Sequence, residues 1–304
     1  MGSTICLHMI EYPNACAFAP GHITGFFKVH NSDNPKSKGS VGCGLVINGG
    51  IESEITLMKK TTETVIFLNE NKIDSDIIQS TIKQMTDTPL MIKCRSDIPI
   101  GYGYGASGAS AISTSFALNK LLSLNMSHNE LINIAHEAEI QNNSGLGDVF
   151  AQSIGGVVIR KKPGIEGLKH VDRIPSLPYD IFCLTFDKIS TSSILNDNDL
   201  VNDINVSGDK AIKQLLKQKT VSNFMKQSLE FSRDSGLLDT KAGDVIEKIN
   251  DIGGLASQAM LGNTVFAIAT NEHNKKDIIG VMEEYGDILI YRINHSGPKM
   301  VEMI

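Results

Sequence analysis

Alternating and helical patterns of hydrophobic residues organise the first half of the chain. Residues 51–58 alternate apolar and polar side chains, which is typical of a half-buried strand. Similar short apolar segments predict strands over 62–68 and 90–95. A long helix is predicted over 106–124, where apolar residues recur at helical spacing. The first half is therefore expected to be rich in strands, with long helices following them.

A second helix is predicted from its N-terminal signal. Ser127 and Glu130 have the spacing of a capping box, in which each side chain accepts from a free backbone N–H at the helix start. The apolar residues that follow keep the spacing of one buried helix face: Leu131, Ile134, Ala135 and Ala138.

A boundary between two units is predicted near residue 177. Pro163, Pro175 and Pro178 lie close together there, and proline lacks an N–H and fixes φ, so such a stretch usually leaves regular structure. Apolar segments over 155–160 and 180–187 predict a strand on either side.

The second half alternates predicted helices with predicted strands. Helices are predicted over 208–217, 220–234, 241–251 and 273–284, and strands over 263–270 and 287–293. Strands separated by helices indicate an α+β fold. We expect a β-rich first unit and a smaller second unit in which helices cover one sheet.

Composition narrows the possible functions. The chain has 304 residues, of which 41% are hydrophobic, so it can form a large core. No apolar run approaches the ~20 residues that a membrane helix needs. A net charge of -6 and the lack of basic clusters argue against nucleic-acid binding, since that requires clustered Lys and Arg. Small-molecule chemistry is the expected function class.

The cysteines predict neither a disulfide framework nor a zinc site. They are odd in number, widely spaced and without a C-x-x-C pair: Cys6, Cys16, Cys43, Cys94 and Cys183. No secretory apolar segment follows Met1, so we expect a protein of the reducing cytoplasm.

Residues 98–111, IPIGYGYGASGASA, form the strongest local motif. Gly103, Gly105 and Gly108 satisfy G-x-G-x-x-G, but a dinucleotide fold needs a second strand ending in an acidic residue, and here a second capped helix follows. A nicotinamide or flavin enzyme is thus a weak alternative. A Walker-type loop and the protein-kinase motifs are excluded, because the chain has no Gly-Lys, H-R-D or D-F-G.

The physical properties of this loop favour an anion. Glycines allow close approach of the backbone, and a helix start offers free N–H groups with the positive end of a dipole. Ser107 and Ser110 add hydroxyls in the first turn. A nucleotide phosphate is the expected ligand; on the loop alone, a turn that merely packs a helix on a sheet is equally compatible.

Two carboxylates accompany the loop. Asp148 lies in the glycine-rich segment 144–156, SGLGDVFAQSIGG, and Glu139 lies near the end of the capped helix. Such a pair suits phosphoryl transfer, in which one carboxylate holds Mg²⁺ and the other takes a hydroxyl proton. A structural Gly-Asp turn is the alternative.

Two further glycine segments complete the set. Residues 17–27, AFAPGHITGFF, place His22 in a predicted Pro-Gly turn, and GSVGCG follows at 39–44. A structural role for this histidine is the alternative to a catalytic one.

Taken together and in this order, the segments resemble the GHMP kinase superfamily. Its phosphate loop, P-x-G-x-G-L-G-S-S-A-A, matches Pro99, Gly101, Gly103, Tyr104, Gly105, Ala106 and Ser107, with Tyr104 for Leu and Ala106 for the first Ser. Its acidic pair resembles Ala135 to Glu139 and Ser144 to Asp148, although the spacing is shorter than in mevalonate kinase and a Gly precedes Asp148.

Two departures resemble the pantoate kinase branch of archaeal coenzyme A synthesis. The first motif, usually A-P-G-[KR], ends in His22, and the third motif, ASQAMLGNTVFA (256–267), keeps only Gly262 of the usual several glycines. GSVGCGLVIN at 39–48 is similar to the same branch. The resemblance covers nearly the whole chain.

The resemblance implies a two-domain α+β GHMP kinase fold. A ribosomal protein S5 domain 2-like, ATP-binding domain would cover 1–177, and a ferredoxin-like domain would cover 178–304. It also implies phosphorylation of pantoate to 4-phosphopantoate with ATP and Mg²⁺, and a homodimer. Composition already argues against a nucleic-acid or membrane partner.

The resemblance also implies roles for individual residues. ATP would bind Pro99 and the loop from Gly101 to Gly108, and Mg²⁺ would be held by Ser107 and Glu139. Asp148 would accept the hydroxyl proton and His22 would contact the substrate. The third motif would close over phosphates or substrate through Gly262, Asn263 and Thr264.

The cation that binds the pantoate carboxylate stays open. Arg95, Lys28 and Arg160 are candidates. The alternative for each is a solvated surface charge with no role in binding. Two alternatives to the whole assignment also stay open: another small-alcohol kinase of homoserine or mevalonate type, and a non-catalytic nucleotide-binding protein.

Overall fold

The computed structural model describes residues 13–58, 63–188 and 191–302. Twelve strands lie in these residues: β1 (Asn14–His30), β2 (Gly39–Leu57), β3 (Val65–Leu68), β4 (Asn71–Ile73), β5 (Leu90–Ser96), β6 (Val157–Arg160), β7 (Val171–Ile174), β8 (Asp180–Thr185), β9 (Leu255–Gln258), β10 (Thr264–Ile268), β11 (Ile288–Arg292) and β12 (Lys299–Val301).

The same residues contain nine α-helices and a 3-10 helix over Ile165–His170. The α-helices are α1 (Asp76–Lys83), α2 (Ala106–Leu122), α3 (His128–Gln141), α4 (Asp148–Gln152), α5 (Thr191–Leu195), α6 (Asn198–Lys217), α7 (Val221–Asp234), α8 (Thr240–Asp251) and α9 (Glu272–Glu283).

Eight strands form the first sheet, in the order β12-β1-β2-β5-β3-β4, with β6 paired to β2 and β7 paired to β6. Every pair is antiparallel except β3 with β5. A dinucleotide fold requires consecutive parallel strands joined by helices. This sheet therefore excludes the nicotinamide or flavin alternative.

The long hairpin of β1 and β2 differs from the sequence prediction. The predicted Pro-Gly turn around His22 is wrong, because Asn14–His30 is one strand that pairs with β2 along its length. The register shifts between Pro20 and Gly21, at a bulge that accommodates the missing proline N–H. A Cβ on Gly44 would collide with the His22 ring. Glycine here permits close approach within a sheet.

The second sheet has the order β11-β8-β10-β9 and is antiparallel throughout. One face packs under α8 and α9 through Phe182, Val265 and Ile246. The other face joins a core shared with the first sheet, to which α6 and α7 also contribute. The rings of Phe26 and Phe224, from β1 and α7, lie 6.3 Å apart in this core.

The predicted boundary at 177/178 falls between the two sheets. Strands β1 to β7 end at Ile174, and the second sheet begins at Asp180. The chain then returns to the first sheet, because β12 pairs with β1. The division into domains 1–177 and 178–304 stays a prediction.

Most predicted elements are confirmed. The helices predicted over 106–124, 220–234, 241–251 and 273–284 correspond to α2, α7, α8 and α9, and the capping box of Ser127 and Glu130 is formed at α3. Helix α6 begins earlier than the predicted 208–217, since the Asp197 side chain caps it by accepting from Asp199 N and Leu200 N.

The remaining strand predictions and cysteines fit the fold. The segments predicted over 51–58, 90–95, 155–160, 180–187, 263–270 and 287–293 all contain strand. Residue 62 of the strand predicted over 62–68 lies outside the described residues, as does Cys6; the other cysteines are buried and free. In the described ranges, no helix has the length and apolar character to cross a membrane.

Candidate active site

The glycine loop turns through left-handed backbone before α2. Gly101, Gly103 and Gly105 have φ of 88°, 88° and 66°, a region that side chains disfavour. Gly105 is the N-cap of α2 and contributes no side-chain cap. The first N–H groups of α2 are therefore left for a ligand, and with the helix dipole they favour an anion.

Residues of the third motif contact the backbone of the glycine loop and hold it in place. Thr264 is fully buried, and its hydroxyl donates to the Tyr102 carbonyl at 2.8 Å. Gly262 lies so close to the Tyr102 and Gly103 backbone that an added Cβ would collide with it. The Tyr104 carbonyl accepts from His22 N at 2.9 Å, which joins the loop to β1. These contacts fix the backbone that faces the ligand.

Ser107 and Glu139 form the first polar pair of the site. Ser107 Oγ donates to Glu139 Oε1 at 2.7 Å across α2 and α3. Glu139 is fully buried, and its Oε2 has no hydrogen-bond partner among the described residues. Burial, reinforced by the charge of Asp148, raises the pKa of Glu139. A buried carboxylate with an unpaired oxygen is suited to a cation.

Asp148 begins α4 and is held by β1. Its Oδ1 lies 3.1 Å from His22 Nδ1 and accepts from Thr24 Oγ1 at 3.0 Å. The Asp148 side chain is 23% exposed, whereas the His22 side chain is fully buried behind it. Burial acts to raise the pKa of Asp148, but the His22 ring, Arg160 and Thr24 hold it below its usual range. Asp148 therefore presents an ionised carboxylate.

Arg160 is a buried cation whose Nη1 packs against Gly147, the residue before Asp148. It is 2% exposed, and its Nη1 donates to Ser40 Oγ at 2.8 Å. Its charge lowers the pKa of Glu139 and Asp148. The interpretation of Arg160 as a surface charge is wrong, because β6 carries it inward. Arg95 and Lys28 are solvent-exposed and pair with Glu52 and Asp209, as that interpretation predicts.

These elements surround a cleft of about 490 Å³. One part of its wall is apolar and comes from β3, β4, α1 and β5, with Leu68, Ile73, Ile77, Ile78 and Cys94. Another part is formed by the glycine loop and the start of α2. The cleft also exposes Thr24, Asp148 and the polar residues after α3: Asn142, Asn143 and Ser144.

The predicted site residues fall into two groups, those that line the cleft and those that do not. Those that line the cleft are Gly101, Gly103, Tyr104, Gly105, Ala106, Ser107 and Asp148. The others lie outside its lining: Pro99, Gly108, His22, Glu139, Gly262, Asn263 and Thr264. Gly108 packs on Gln152 and Val149 of α4, and Asn263 is buried with its Oδ1 unpaired among the described residues. Their predicted roles stay predictions.

Sequence reasoning missed part of the site. Thr24 carried no signal beyond lying two residues after His22, a spacing that puts both side chains on one face of a strand. Met260 and Leu261 of the third motif also line the cleft, although their side chains are apolar and carried no signal of a site. Recognising β1 as a strand would have found Thr24.

The amino-acid sequence of this chain is similar to those of known kinases. Residues 75–156 match the model of the GHMP kinases N terminal domain. The chain is 36% identical to a pantoate kinase of Methanocaldococcus jannaschii over 260 residues, covering 84% of this chain and 93% of the relative. It is 32% identical to a pantoate kinase of Methanospirillum hungatei, covering 96% and 98%.

Two solved structures have a similar fold. A phosphotransferase related to the coenzyme A biosynthesis pathway superposes with a TM-score of 0.86 at 25% identity, covering 95% of this chain and 98% of that one. A homoserine kinase from Cytophaga hutchinsonii, 18% identical, has a TM-score of 0.72 over 98% and 100% of the two chains and shares the fold. The chain belongs to the pantoate kinase family of the GHMP kinases.

Proposed function

We propose that this protein transfers the γ-phosphoryl group of ATP to the 4-hydroxyl of pantoate, forming 4-phosphopantoate for coenzyme A synthesis. One observation carries the proposal: an uncapped glycine-loop helix start, Ser107 and the Asp148 carboxylate line one cleft, and the buried Glu139 accepts from Ser107 directly behind it. Family membership supports pantoate as the acceptor.

ATP binds with its phosphates on the loop from Gly101 to Gly108. The free N–H groups at the start of α2 and the helix dipole favour the triphosphate charge. The apolar wall from β3, α1 and β5 suits the nucleobase, because a flat aromatic ring gains by leaving water there. The triphosphate would then extend from this wall toward Asp148.

The residues present fit Mg²⁺. In the part of the chain that is described, no group of three or more His, Cys, Asp and Glu side chains could hold a metal ion. Mg²⁺ on a nucleotide needs only one or two carboxylates, since phosphates and waters complete its shell. Glu139, with its unpaired buried Oε2, and the hydroxyl of Ser107 supply that set. Mg²⁺ bound there would neutralise phosphate charge.

Asp148 accepts the proton of the pantoate 4-hydroxyl. Its lowered pKa makes it a weak base, so proton transfer to it is late, and in-line positioning with charge neutralisation provides most of the rate. His22 lies behind Asp148 rather than in the cleft lining. We therefore assign His22 to orienting Asp148, in place of the substrate contact that the resemblance implied.

Arg160 is 2% exposed and, like His22, lies outside the cleft lining. We therefore assign its charge to the electrostatics of Asp148 and Glu139 and not to the pantoate carboxylate. Gly262 and Thr264 act on the substrate through the glycine loop that they support, and Asn263 contributes its unpaired buried Oδ1.

A panel of acceptors tests the proposal. Pantoate, homoserine and mevalonate are each supplied with ATP and Mg²⁺, and the product is identified by ³¹P NMR. We expect a phosphomonoester at the pantoate 4-position. A tenfold preference for another alcohol would overturn the acceptor, and tight ATP binding without turnover on any acceptor would favour the non-catalytic alternative. The homodimer and the cytoplasmic location are also proposals; sedimentation and fractionation check them.

A further inference from the structure

Leu261 has an unusual backbone conformation for its residue type. Its φ is 63°, in the left-handed region, where a bulky side chain is a genuine outlier. The other non-glycine residues with positive φ in the described ranges are polar: Asn69, Glu70, Ser123, Asn125 and Asn143. Strain of this kind persists where the surroundings impose it, commonly at ligand sites.

The neighbours of Leu261 impose this conformation. Met260 N donates to the Thr24 carbonyl at 2.9 Å, which fixes the residue before it. Gly262, directly after it, is packed against the Tyr102 backbone with no space for a side chain. Leu261 is thus held between two anchored residues, and its side chain lines the cleft.

The same anchors connect Leu261 to the catalytic carboxylate. Thr24 accepts from Met260 with its carbonyl and donates to Asp148 Oδ1 with its hydroxyl, so one residue joins the third motif to Asp148. Met260 is 2% exposed and lines the cleft beside Leu261. The side chains of Met260 and Leu261 therefore form an apolar surface of the cleft, and Thr24 connects this surface to Asp148.

The presence of leucine at position 261 indicates a role for its side chain. Glycine adopts a left-handed φ without strain. This chain places leucine in that conformation. A strained leucine where glycine suffices indicates that an apolar group is needed in the cleft.

The chemistry of the acceptor supplies a reason. Pantoate carries two methyl groups on C3, the carbon next to the hydroxymethyl group that reacts. When Asp148 contacts the 4-hydroxyl, the methyl groups lie beside it. We propose that Leu261, supported by Met260, contacts these methyl groups and sets the preference for pantoate over alcohols that lack them. This inference rests on the proposed function.

The test compares two acceptors, pantoate and 2,4-dihydroxybutanoate, which lacks both methyl groups. Leu261→Asn is the informative variant, because asparagine adopts the left-handed region readily and replaces an apolar surface with a polar one. The measured quantity is the ratio of kcat/KM for the two acceptors. A general folding defect lowers both values together and leaves this ratio unchanged.

We expect the wild type to prefer pantoate by roughly a hundredfold or more, since each of the two methyl groups in an apolar pocket contributes at least about tenfold. Leu261→Asn should reduce the preference by roughly tenfold, and Leu261→Met should retain it. Leu216→Asn is the matched control: Leu216 is 38% exposed on α6, outside the cleft lining, and its replacement should leave the ratio unchanged.

The outcomes separate the two proposals. A wild type that phosphorylates pantoate, with a preference that Leu261→Asn does not alter, would overturn the role of Leu261 and leave the proposed function intact. A wild type that fails to phosphorylate pantoate would overturn the proposed function, and this inference with it.

Discussion

Replacing Gly145 by alanine displaces Glu139 without changing any charged group. Gly145 is buried after α3, and its φ is not among the positive values, so the backbone tolerates alanine. An added Cβ would lie 2.5 Å from Glu139 Cδ and Oε2. The Glu139 carboxylate must therefore move away from the position in which it accepts from Ser107.

The size of the effect follows from that distance. Ordinary van der Waals contact begins at 3.4 Å, so the carboxylate must move by roughly 1 Å. A misplacement of about 1 Å in an active site can cost roughly 100-fold in rate. We expect kcat/KM to fall by about that factor, the Mg²⁺ concentration for half-maximal rate to rise, and stability to fall by about 1–3 kcal/mol from overpacking.

The assay is ADP release at varied Mg²⁺, with thermal unfolding in parallel. Gly243→Ala in α8 is the matched control, because an added Cβ there would meet its nearest neighbour at 3.7 Å, and alanine favours a helix. That variant should keep wild-type activity. Should Gly145→Ala fold and retain the wild-type kcat/KM and Mg²⁺ dependence, the placement of Glu139 would not matter and the reasoning would be refuted.

Three further predictions follow. Ser107→Ala should raise the Mg²⁺ requirement, whereas Ser110→Ala, which loses only a bond to the Ala106 carbonyl, should not; an Mg²⁺ titration compares them. Thr264→Val leaves the Tyr102 carbonyl without its 2.8 Å donor and should cost about 1 kcal/mol of stability and raise KM for ATP, checked by denaturation and kinetics. Burial lowers the pKa of His136 to about 4 from 6.5. Because the unfolded chain binds this proton first, stability should fall by about 2 kcal/mol between pH 7 and pH 5, and His136→Gln should remove that loss in urea titrations; equal pH dependence in the variant would contradict it.

Local signals made much of the fold predictable. The capping box of Ser127 and Glu130 and the helical spacing of α7 to α9 depend on neighbours in sequence, and these elements formed as expected. The glycine loop was predictable for the same reason, since the left-handed φ of Gly101, Gly103 and Gly105 is a conformation that glycine itself favours. Helix α2 then follows directly.

Tertiary contacts account for the rest. The Pro-Gly pair in β1 suggested a turn, but pairing with β2 and a bulge at Pro20 keep the strand continuous. Arg160 gave no sign of burial, because the Ser40 hydroxyl and the two carboxylates that stabilise it come from distant parts of the chain. The contacts of His22 and Thr24 with Asp148 could not be predicted either. They depend on β1 being a continuous strand, in which these two side chains lie on one face.

The most direct test of the account is ADP release from ATP and Mg²⁺, with and without D-pantoate, by the wild type and Asp148→Asn. Asparagine keeps the size of Asp148 but cannot accept the proton. We predict pantoate-dependent release by the wild type and a loss of roughly 100-fold or more in the variant, with ATP affinity retained. Undiminished pantoate-dependent release by Asp148→Asn, or no dependence on pantoate in the wild type, would contradict the account.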